Sequence, residues 1–212
     1  MKYLFITTMF LSTIVYGQLT IDSLKKIVAP LRLGYSNYFE PFVNKVGYGG
    51  PWILNKDGGG AAFGDNTLYK FDKKGKELWK RKIKDRFEEM ESQVVADDTK
   101  GNLYVFMLEY NSKVYRGGNE RVVCFDKTGK QLWDKNLGAY SALNNPIVSY
   151  VKTTEDGKIY MRGHMAKEKP KDGDPKYLFW EGWLDVTGKL TQKTGEQIDW
   201  AKDEWQKKFK PE

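Results

Sequence analysis

The side chains of this chain offer few groups suited to catalysis. His164 is the only histidine and Cys124 the only cysteine among 212 residues. A metal site or a serine triad that needs several histidines is therefore excluded, although one histidine can still act as a general base. We interpret His164 as an ordinary loop residue. Cys124 lacks a partner for an intramolecular disulfide, and we interpret it as a small core residue rather than a reactive thiol.

Carboxylates are numerous, so a glycosidase built on two converging Asp or Glu side chains stays open. The pairs Asp97-Asp98 and Asp172-Gly173-Asp174 supply only fragments of a calcium shell, which needs about 6–8 oxygen ligands. The run Gly58-Gly59-Gly60 lacks the Lys-Ser/Thr that completes a phosphate loop. We therefore predict no catalytic residue, no cofactor and no metal site. Most of the remaining carboxylates of interest stand at turn positions: Asp72, Asp126, Asp156 and Asp185.

A repeat organises most of the chain. Residues 68–79 and 122–133 both read as an apolar strand, then Phe-Asp-Lys-x-Gly-Lys, then x-Leu-Trp. A worn third copy covers residues 183–190, and Thr191 replaces the tryptophan. The aspartate bonds a following backbone N–H and the glycine supplies a positive φ, which predicts hairpin turns at Lys73-Gly75 and Lys127-Gly129. The intervals between copies are typical of propeller blades with loop insertions.

This motif resembles the blade repeat of pyrroloquinoline-quinone-type (quinoprotein-like) β-propellers, in which Asp-x-x-Gly-Lys-x-x-Trp closes the two outer strands. Residues 98–105 and 155–161 match the turn and inner strand of such a blade, and residues 56–63 match less well. The resemblance implies a mainly β fold of three stacked antiparallel propeller-type blades, a partial or open propeller. The quinone cofactor is not expected, because the enzymes of the family close a full ring around it.

The flanking segments divide the chain into four parts. Residues 1–17 have the pattern of a signal peptide, and residues 18–49 form an aromatic-rich capping segment that begins with a predicted helix at Thr20–Val28. The three-blade domain covers residues 50–194. Residues 195–212 hold a predicted C-terminal helix over 196–209, which we expect to cap the last blade. Three blades do not close a ring, so caps on an open stack and a ring-completing homodimer both stay open.

The signal sequence predicts an exported protein, periplasmic or extracellular, with no transmembrane segment in the mature chain. The net charge is +7, much of it on lysines near turns. These lysines suit solvated hairpin tips or attraction to anionic envelope surfaces, and we expect no nucleic-acid partner.

Two longer links between strands are the candidate partner-binding loops. The link from Glu109 to Glu120 and the link from Gly163 to Lys176 stand at equivalent positions of the second and third blades, so we expect both on one rim. Two unrelated, tolerated surface loops are the alternative. Tyr177, Trp180 and Trp183 follow the third link and are interpreted as core residues. The candidate partner-binding residues are Tyr110, Lys113, Tyr115, Arg116, His164, Lys167 and Lys169.

Two functions from different classes fit these patterns. The first is an exported, non-catalytic binding or scaffold protein that presents blade loops to an envelope protein or a glycan. The second is an envelope carbohydrate-active hydrolase or lyase with paired carboxylates.

A further expectation concerns Lys70 and Cys124, which occupy equivalent strand positions. Because a middle blade is covered on both sides and an end blade on one, we expect Cys124 to be buried and Lys70 to be exposed.

Overall fold

The computed structural model describes residues 19–29, 52–64, 66–84, 89–110, 118–138, 146–168 and 176–199. Within these ranges a short helix precedes twelve strands, which form three four-stranded antiparallel sheets in which neighbouring strands follow chain order. Helix α1 spans Ile21–Val28. The mainly β fold with three antiparallel sheets agrees with the expectation, and none of the three sheets closes on itself.

The strands of the three sheets have the following bounds. The first sheet contains β1 (Trp52–Leu54), β2 (Gly60–Gly64), β3 (Thr67–Phe71) and β4 (Glu77–Lys82). The second sheet contains β5 (Glu89–Asp97), β6 (Leu103–Tyr110), β7 (Gly118–Phe125) and β8 (Gln131–Asn136). The third sheet contains β9 (Pro146–Thr153), β10 (Ile159–Glu168), β11 (Lys176–Leu184) and β12 (Leu190–Gln197).

The same hairpin turn occurs at both turns of every sheet. In the turn after β3, the Gly75 N–H donates to the Asp72 carbonyl at 2.9 Å, and the Asp72 N–H donates to the Lys76 carbonyl at 2.9 Å. One carboxylate oxygen of Asp72 accepts the N–H groups of Lys74 and Lys76. Each turn places a glycine at positive φ: Gly58, Gly75, Gly101, Gly129, Gly157 and Gly188. This confirms the two predicted hairpin turns and the turns expected before the inner strands at 98–105 and 155–161, and the same geometry recurs at Gly58 and Gly188.

The two ends of the strands therefore differ. Because each sheet is an up-and-down meander, its two glycine turns lie at one end of the strands, and the link between its second and third strands lies at the other. We call these ends the turn rim and the loop rim. The links from β6 to β7 and from β10 to β11 both leave their sheets at the loop rim.

Alternating side chains pack the three sheets against one another. Strand alternation sends one set of residues of the second sheet to the first sheet and the other set to the third sheet. The core between the first and second sheets includes Phe63, Leu68, Val105, Val123 and Phe125. The core between the second and third sheets includes Phe106, Val122, Cys124, Met161 and Trp180.

The repeat tryptophans connect each sheet to the next. Trp79 of β4 donates its indole N–H to the carbonyl of Lys127, in a turn of the second sheet, at 3.1 Å. Trp133 of β8 donates to the carbonyl of Val186, in a turn of the third sheet, at 3.0 Å. Thr191 of β12 pairs in register with Trp183, as the two tryptophans pair with Lys70 and Cys124. The tryptophan is therefore lost in the sheet that ends the series.

Helix α1 covers the free face of the first sheet. Thr20 caps it by accepting the Ser23 N–H at 3.1 Å, and its buried Leu24 packs beside Phe71. Ile27 stands against Gly75, at the place where Trp79 stands against Gly129 in the next sheet. The predicted helix at Thr20–Val28 is thus confirmed, and within residues 19–29 it acts as a cap. The rest of the capping segment, residue 18 and residues 30–49, lies outside the described residues.

Two expectations fail. The predicted helix over 196–209 is not supported, because Gln197 pairs with Leu178 as part of β12 and residues 200–212 lie outside the described residues. Cys124 is fully buried as predicted, but Lys70 is only 4% exposed. The prediction for Lys70 is wrong because its face of the first sheet is the face that packs on the second sheet. Its ammonium pairs there with the Asp57 carboxylate at 2.9 Å and donates a hydrogen bond to the Asn55 side-chain oxygen at 2.7 Å.

Candidate functional site

The structure separates the predicted partner-binding residues. Tyr110 is the last residue of β6, and its backbone pairs with Gly118 at the loop rim. His164 and Lys167 belong to strand β10 rather than to a loop, so the third link begins later than predicted. The remaining candidates lie outside the described residues: Lys113, Tyr115, Arg116 and Lys169.

His164 lies on the face of the third sheet that points away from the second sheet. Its neighbours on β10, Met161 and Met165, belong to the inter-sheet core, so the alternate residues occupy the opposite face. The ring of His164 meets Tyr177 edge-on, with centroids 5.4 Å apart. Burial lowers the pKa of His164 to about 4, so this imidazole is neutral at physiological pH.

We call this surface the outer face of the third sheet. Its centre is a hydrogen-bonded network around Glu181 of β11. Lys193 of β12 donates to one carboxylate oxygen at 2.7 Å, and the Tyr160 hydroxyl bonds the other. Arg162 donates from its Nε to the Tyr160 oxygen at 2.7 Å and lies 3.3 Å from the same Glu181 oxygen.

The electrostatics of the network follow from these contacts. Burial by itself raises the pKa of Glu181, but the hydrogen bonds from Lys193, Tyr160 and Arg162 outweigh it and lower the pKa below the ordinary value. Burial and then the bond to Glu181 raise the pKa of Tyr160 to about 12. At neutral pH the network therefore holds an ionised carboxylate, a neutral phenol and two cations.

Aromatic rings and cations alternate across the same face. The rings of Tyr160 and Trp183 lie 5.4 Å apart, and Tyr150 meets Tyr160 edge-on. The Lys193 ammonium lies 5.5 Å from the Trp183 ring centre, and that of Lys152 lies 5.5 Å from the Tyr160 ring centre. Tyr150 and Tyr160 are themselves buried, so the accessible groups of this face are Trp183, Lys152 and Lys193. These groups suit recognition of a ligand that combines flat apolar surface with anionic or hydroxyl groups. They do not assemble a nucleophile with a base.

A comparison of the three sheets shows that this face occupies the strand positions that are core in the other two sheets. Phe63 pairs with Leu68 in the first sheet, and Phe106 pairs with Val122 at the same register of the second sheet. Both pairs are buried between sheets. In the third sheet the equivalent pair is Arg162 with Glu181. The positions that hold an apolar core pair in the first two sheets thus hold an ion pair in the third sheet.

The sequence reasoning missed Tyr160, Arg162, Glu181 and Lys193. Alignment of β10 and β11 with the earlier strands would have shown charged residues where the other copies have Phe, Leu and Val. Trp180 is a core residue as predicted, fully buried, with its N–H bonded to Gln192 at 2.8 Å. Trp183, predicted to be a core residue as well, lies on the outer face instead.

Other buried charges are structural. Arg121 forms a bidentate pair with Asp134, at 2.9 and 2.7 Å, and donates to the carbonyl of Lys84, just after β4, at 3.0 Å. Asp97 accepts from the side chain of Asn55, and its carbonyl accepts from Thr153 of the third sheet.

Within the described ranges no cluster of three or more His, Cys, Asp or Glu side chains could hold a metal ion. None of the described helices is long and apolar enough to cross a membrane.

Comparisons with known proteins do not assign a family to the chain. No family model matches it, and no curated protein matches it either. Among solved structures, a protein of unknown function from Bacteroides caccae is similar over 68% of this chain and 57% of that one, with 8% identity and a TM-score of 0.30. The match spans little more than half of that protein's length. A likeness at this level carries no argument about fold or function.

Proposed function

We propose that this is an exported, non-catalytic binding or scaffold protein with three propeller-type blades. In this proposal it presents the outer face of the third sheet, together with the neighbouring blade loops, to a protein or glycan partner in the periplasm or outside the cell. The duplicated turn motif and the tryptophan contacts between successive sheets support the blade assignment. The apolar run and the small residue before Gln18 support export.

The ionic network on the outer face is the observation that carries the proposal. A terminal sheet of a repeat protein needs a polar outer surface for solubility, and scattered charges are sufficient for that purpose. Here Glu181 instead binds Tyr160, Arg162 and Lys193 together, and Trp183 lies beside them. Side chains that are fixed by their neighbours lose little conformational entropy when a ligand binds, which favours recognition.

The alternative function, a carbohydrate-active hydrolase or lyase, needs two converging carboxyl groups, one of them with a raised pKa. The network around Tyr160 contains a single carboxylate, Glu181, and its pKa is lowered. An acid catalyst at this position would therefore be ionised before it could donate a proton. We accordingly favour binding over hydrolysis for this face.

The test is affinity capture of the mature chain from envelope extract, combined with a glycan array. For a partner found in this way, we expect Trp183→Ala with Lys152→Ala to lower affinity at least tenfold. The matched control is Leu132→Ala with Lys80→Ala, which removes an exposed apolar residue and a lysine from the other two sheets. If Tyr115→Ala with Arg116→Ala abolishes binding and the Trp183 variant does not, the partner binds the loop rim and the assignment to the outer face is wrong.

A further inference from the structure

Glu120 of β7 is a buried carboxyl group that lacks the partners an ionised carboxylate needs. Its side chain is fully buried, at 0% exposure. One oxygen accepts the Val148 N–H of β9 at 3.3 Å, and the other is the single buried polar side-chain atom without a hydrogen bond among the described residues. A buried ionised carboxylate is normally stabilised by a cation or by two or three donors. Glu120 has one weak donor.

The surroundings of Glu120 supply no counter-charge in the described part of the chain. Alternation along β7 turns Glu120 toward the third sheet with Val122, and its register partner on β6 is Leu108. The side chain of the neighbouring Arg121 points toward the first sheet. It pairs with Asp134 of β8 in its own sheet and donates to the Lys84 carbonyl just after β4. The titratable groups of the strands packed against Glu120 are engaged elsewhere.

Those groups can be named strand by strand. On β6, the Tyr104 hydroxyl bonds Asp98 at the turn rim. On β7, burial raises the pKa of Cys124 to about 12, so the thiol is neutral. On β9 and β10, the side chains of Tyr150, Lys152, Tyr160, Arg162 and His164 lie on the outer face of the third sheet, and Lys167 is exposed near the end of β10. Burial therefore raises the pKa of Glu120 well above its ordinary value, and the single N–H bond from Val148 lowers it only in part.

We propose that Glu120 is protonated in the folded protein and acts as a pH-sensitive clamp between the second and third sheets at the loop rim. The clamp joins three strand ends. The Glu120 side chain holds the Val148 N–H near the start of β9, and the Glu120 carbonyl accepts the Leu137 N–H at 2.8 Å just after β8. Ionisation places a negative charge among apolar side chains, which separates β7 from β9 or draws water between them.

The direction of the pH dependence follows from proton linkage. The folded state binds the Glu120 proton more tightly than the unfolded state does. Its contribution to stability is therefore complete below the unfolded pKa and is lost as the pH rises through the folded pKa. His164 has the opposite effect on stability between about pH 4 and pH 6.5, because its pKa in the folded state is lowered. The effect of Glu120 must consequently be read as a difference between the wild type and a Glu120 variant.

The experiment measures urea unfolding midpoints from pH 5 to pH 8 for the wild type, Glu120→Gln and the control Glu77→Gln, which changes an exposed glutamate of β4. We expect the wild type to lose stability relative to Glu120→Gln as the pH rises, whereas Glu77→Gln keeps the wild-type profile. Identical profiles for the wild type and Glu120→Gln would overturn the proposal. If Glu120→Gln fails to fold, carbon NMR of carboxyl-labelled wild type decides: a Glu120 signal that titrates near pH 4.5 rejects the clamp, and one that titrates well above it supports the clamp.

Discussion

Arg162 and Glu181 face each other across β10 and β11 and form an ion pair at 3.3 Å, at the register where Phe106 faces Val122 in the second sheet. The apolar pair lies in the core between two sheets, and the ionic pair lies on the outer face of the third sheet, where the Arg162 and Glu181 side chains are 30% and 21% exposed. One strand register thus serves as core in the middle of the stack and as surface at its end. The difference lies in two side chains.

This relationship predicts that substitutions can turn the outer face of the third sheet into a self-association surface. Replacing the ion pair by Arg162→Phe with Glu181→Val installs the residues found at this register of the second sheet and enlarges the apolar part of the face beside Tyr160 and Trp183. We expect the double variant to self-associate, with a mass at least twice that of the wild type in light scattering. The charge-preserving control Arg162→Lys should keep the wild-type mass. An unchanged mass for the double variant would contradict this account of the face.

The tryptophan contacts between sheets predict a large loss of stability on truncation. Trp133 packs on Tyr104 with centroids 5.7 Å apart and bonds the Val186 carbonyl. We expect Trp133→Ala to lower the free energy of unfolding by about 2–3 kcal/mol. The neighbouring Leu132 is 45% exposed, and Leu132→Ala should cost less than about 1 kcal/mol. Urea denaturation checks both, and equal losses would refute a special role for the tryptophan.

The buried ion pair of Lys70 predicts an asymmetry between its two partners. The Lys70 side chain is 5% exposed, whereas that of Asp57 is 63% exposed. Asp57→Ala leaves a buried ammonium without its counter-ion and should cost about 2 kcal/mol or more. Lys70→Met leaves a carboxylate that water can solvate, and should stay within about 1 kcal/mol of the wild type. If urea denaturation shows a larger loss of stability for Lys70→Met than for Asp57→Ala, the buried ammonium does not depend on Asp57 as its counter-ion.

Alanine substitutions at two turn glycines distinguish the effect of backbone strain from that of a steric clash. Gly101 and Gly129 have φ angles of 81° and 82°, so alanine is strained equally at both. A Cβ at Gly101 would meet only the Cβ of Lys127, at 3.8 Å, whereas at Gly129 it would meet the Trp79 ring at 2.9 Å. We expect Gly101→Ala to cost about 1 kcal/mol and Gly129→Ala clearly more. Thermal denaturation of the two variants side by side would reject the ring contact if their melting temperatures coincide.

Burial of the His164 imidazole predicts that the folded protein loses stability on acidification. Its pKa is lowered from 6.5 to about 4 by burial, so the folded state binds this proton less tightly than the unfolded state does. Stability is complete above pH 6.5 and falls as the pH drops toward 4. Between pH 7.5 and pH 5 the loss should be about 2 kcal/mol relative to His164→Gln, whose profile lacks this term. Parallel profiles in urea denaturation would show that His164 is not effectively buried.

The sequence by itself determined the local structure. An aspartate followed three residues later by glycine has one favourable turn geometry, because the carboxylate satisfies two backbone N–H groups and glycine accepts the positive φ. Thr20 before an amphipathic run likewise begins a helix. Repetition of the turn then fixed the number of sheets and the burial of Cys124. These features depend on residues that are neighbours in the chain.

Only the tertiary structure decided which face of each strand is covered. Alternation separates Lys70 from Tyr69, but it does not say which side meets the next sheet, and so the exposure of Lys70 was predicted wrongly. Pairing of Gln197 with Leu178 extends β12 into a stretch whose apolar spacing suits a helix. The network of Tyr160, Glu181 and Lys193 joins three strands. Its members meet because strand register places them opposite one another, and register is set by the packing of whole sheets.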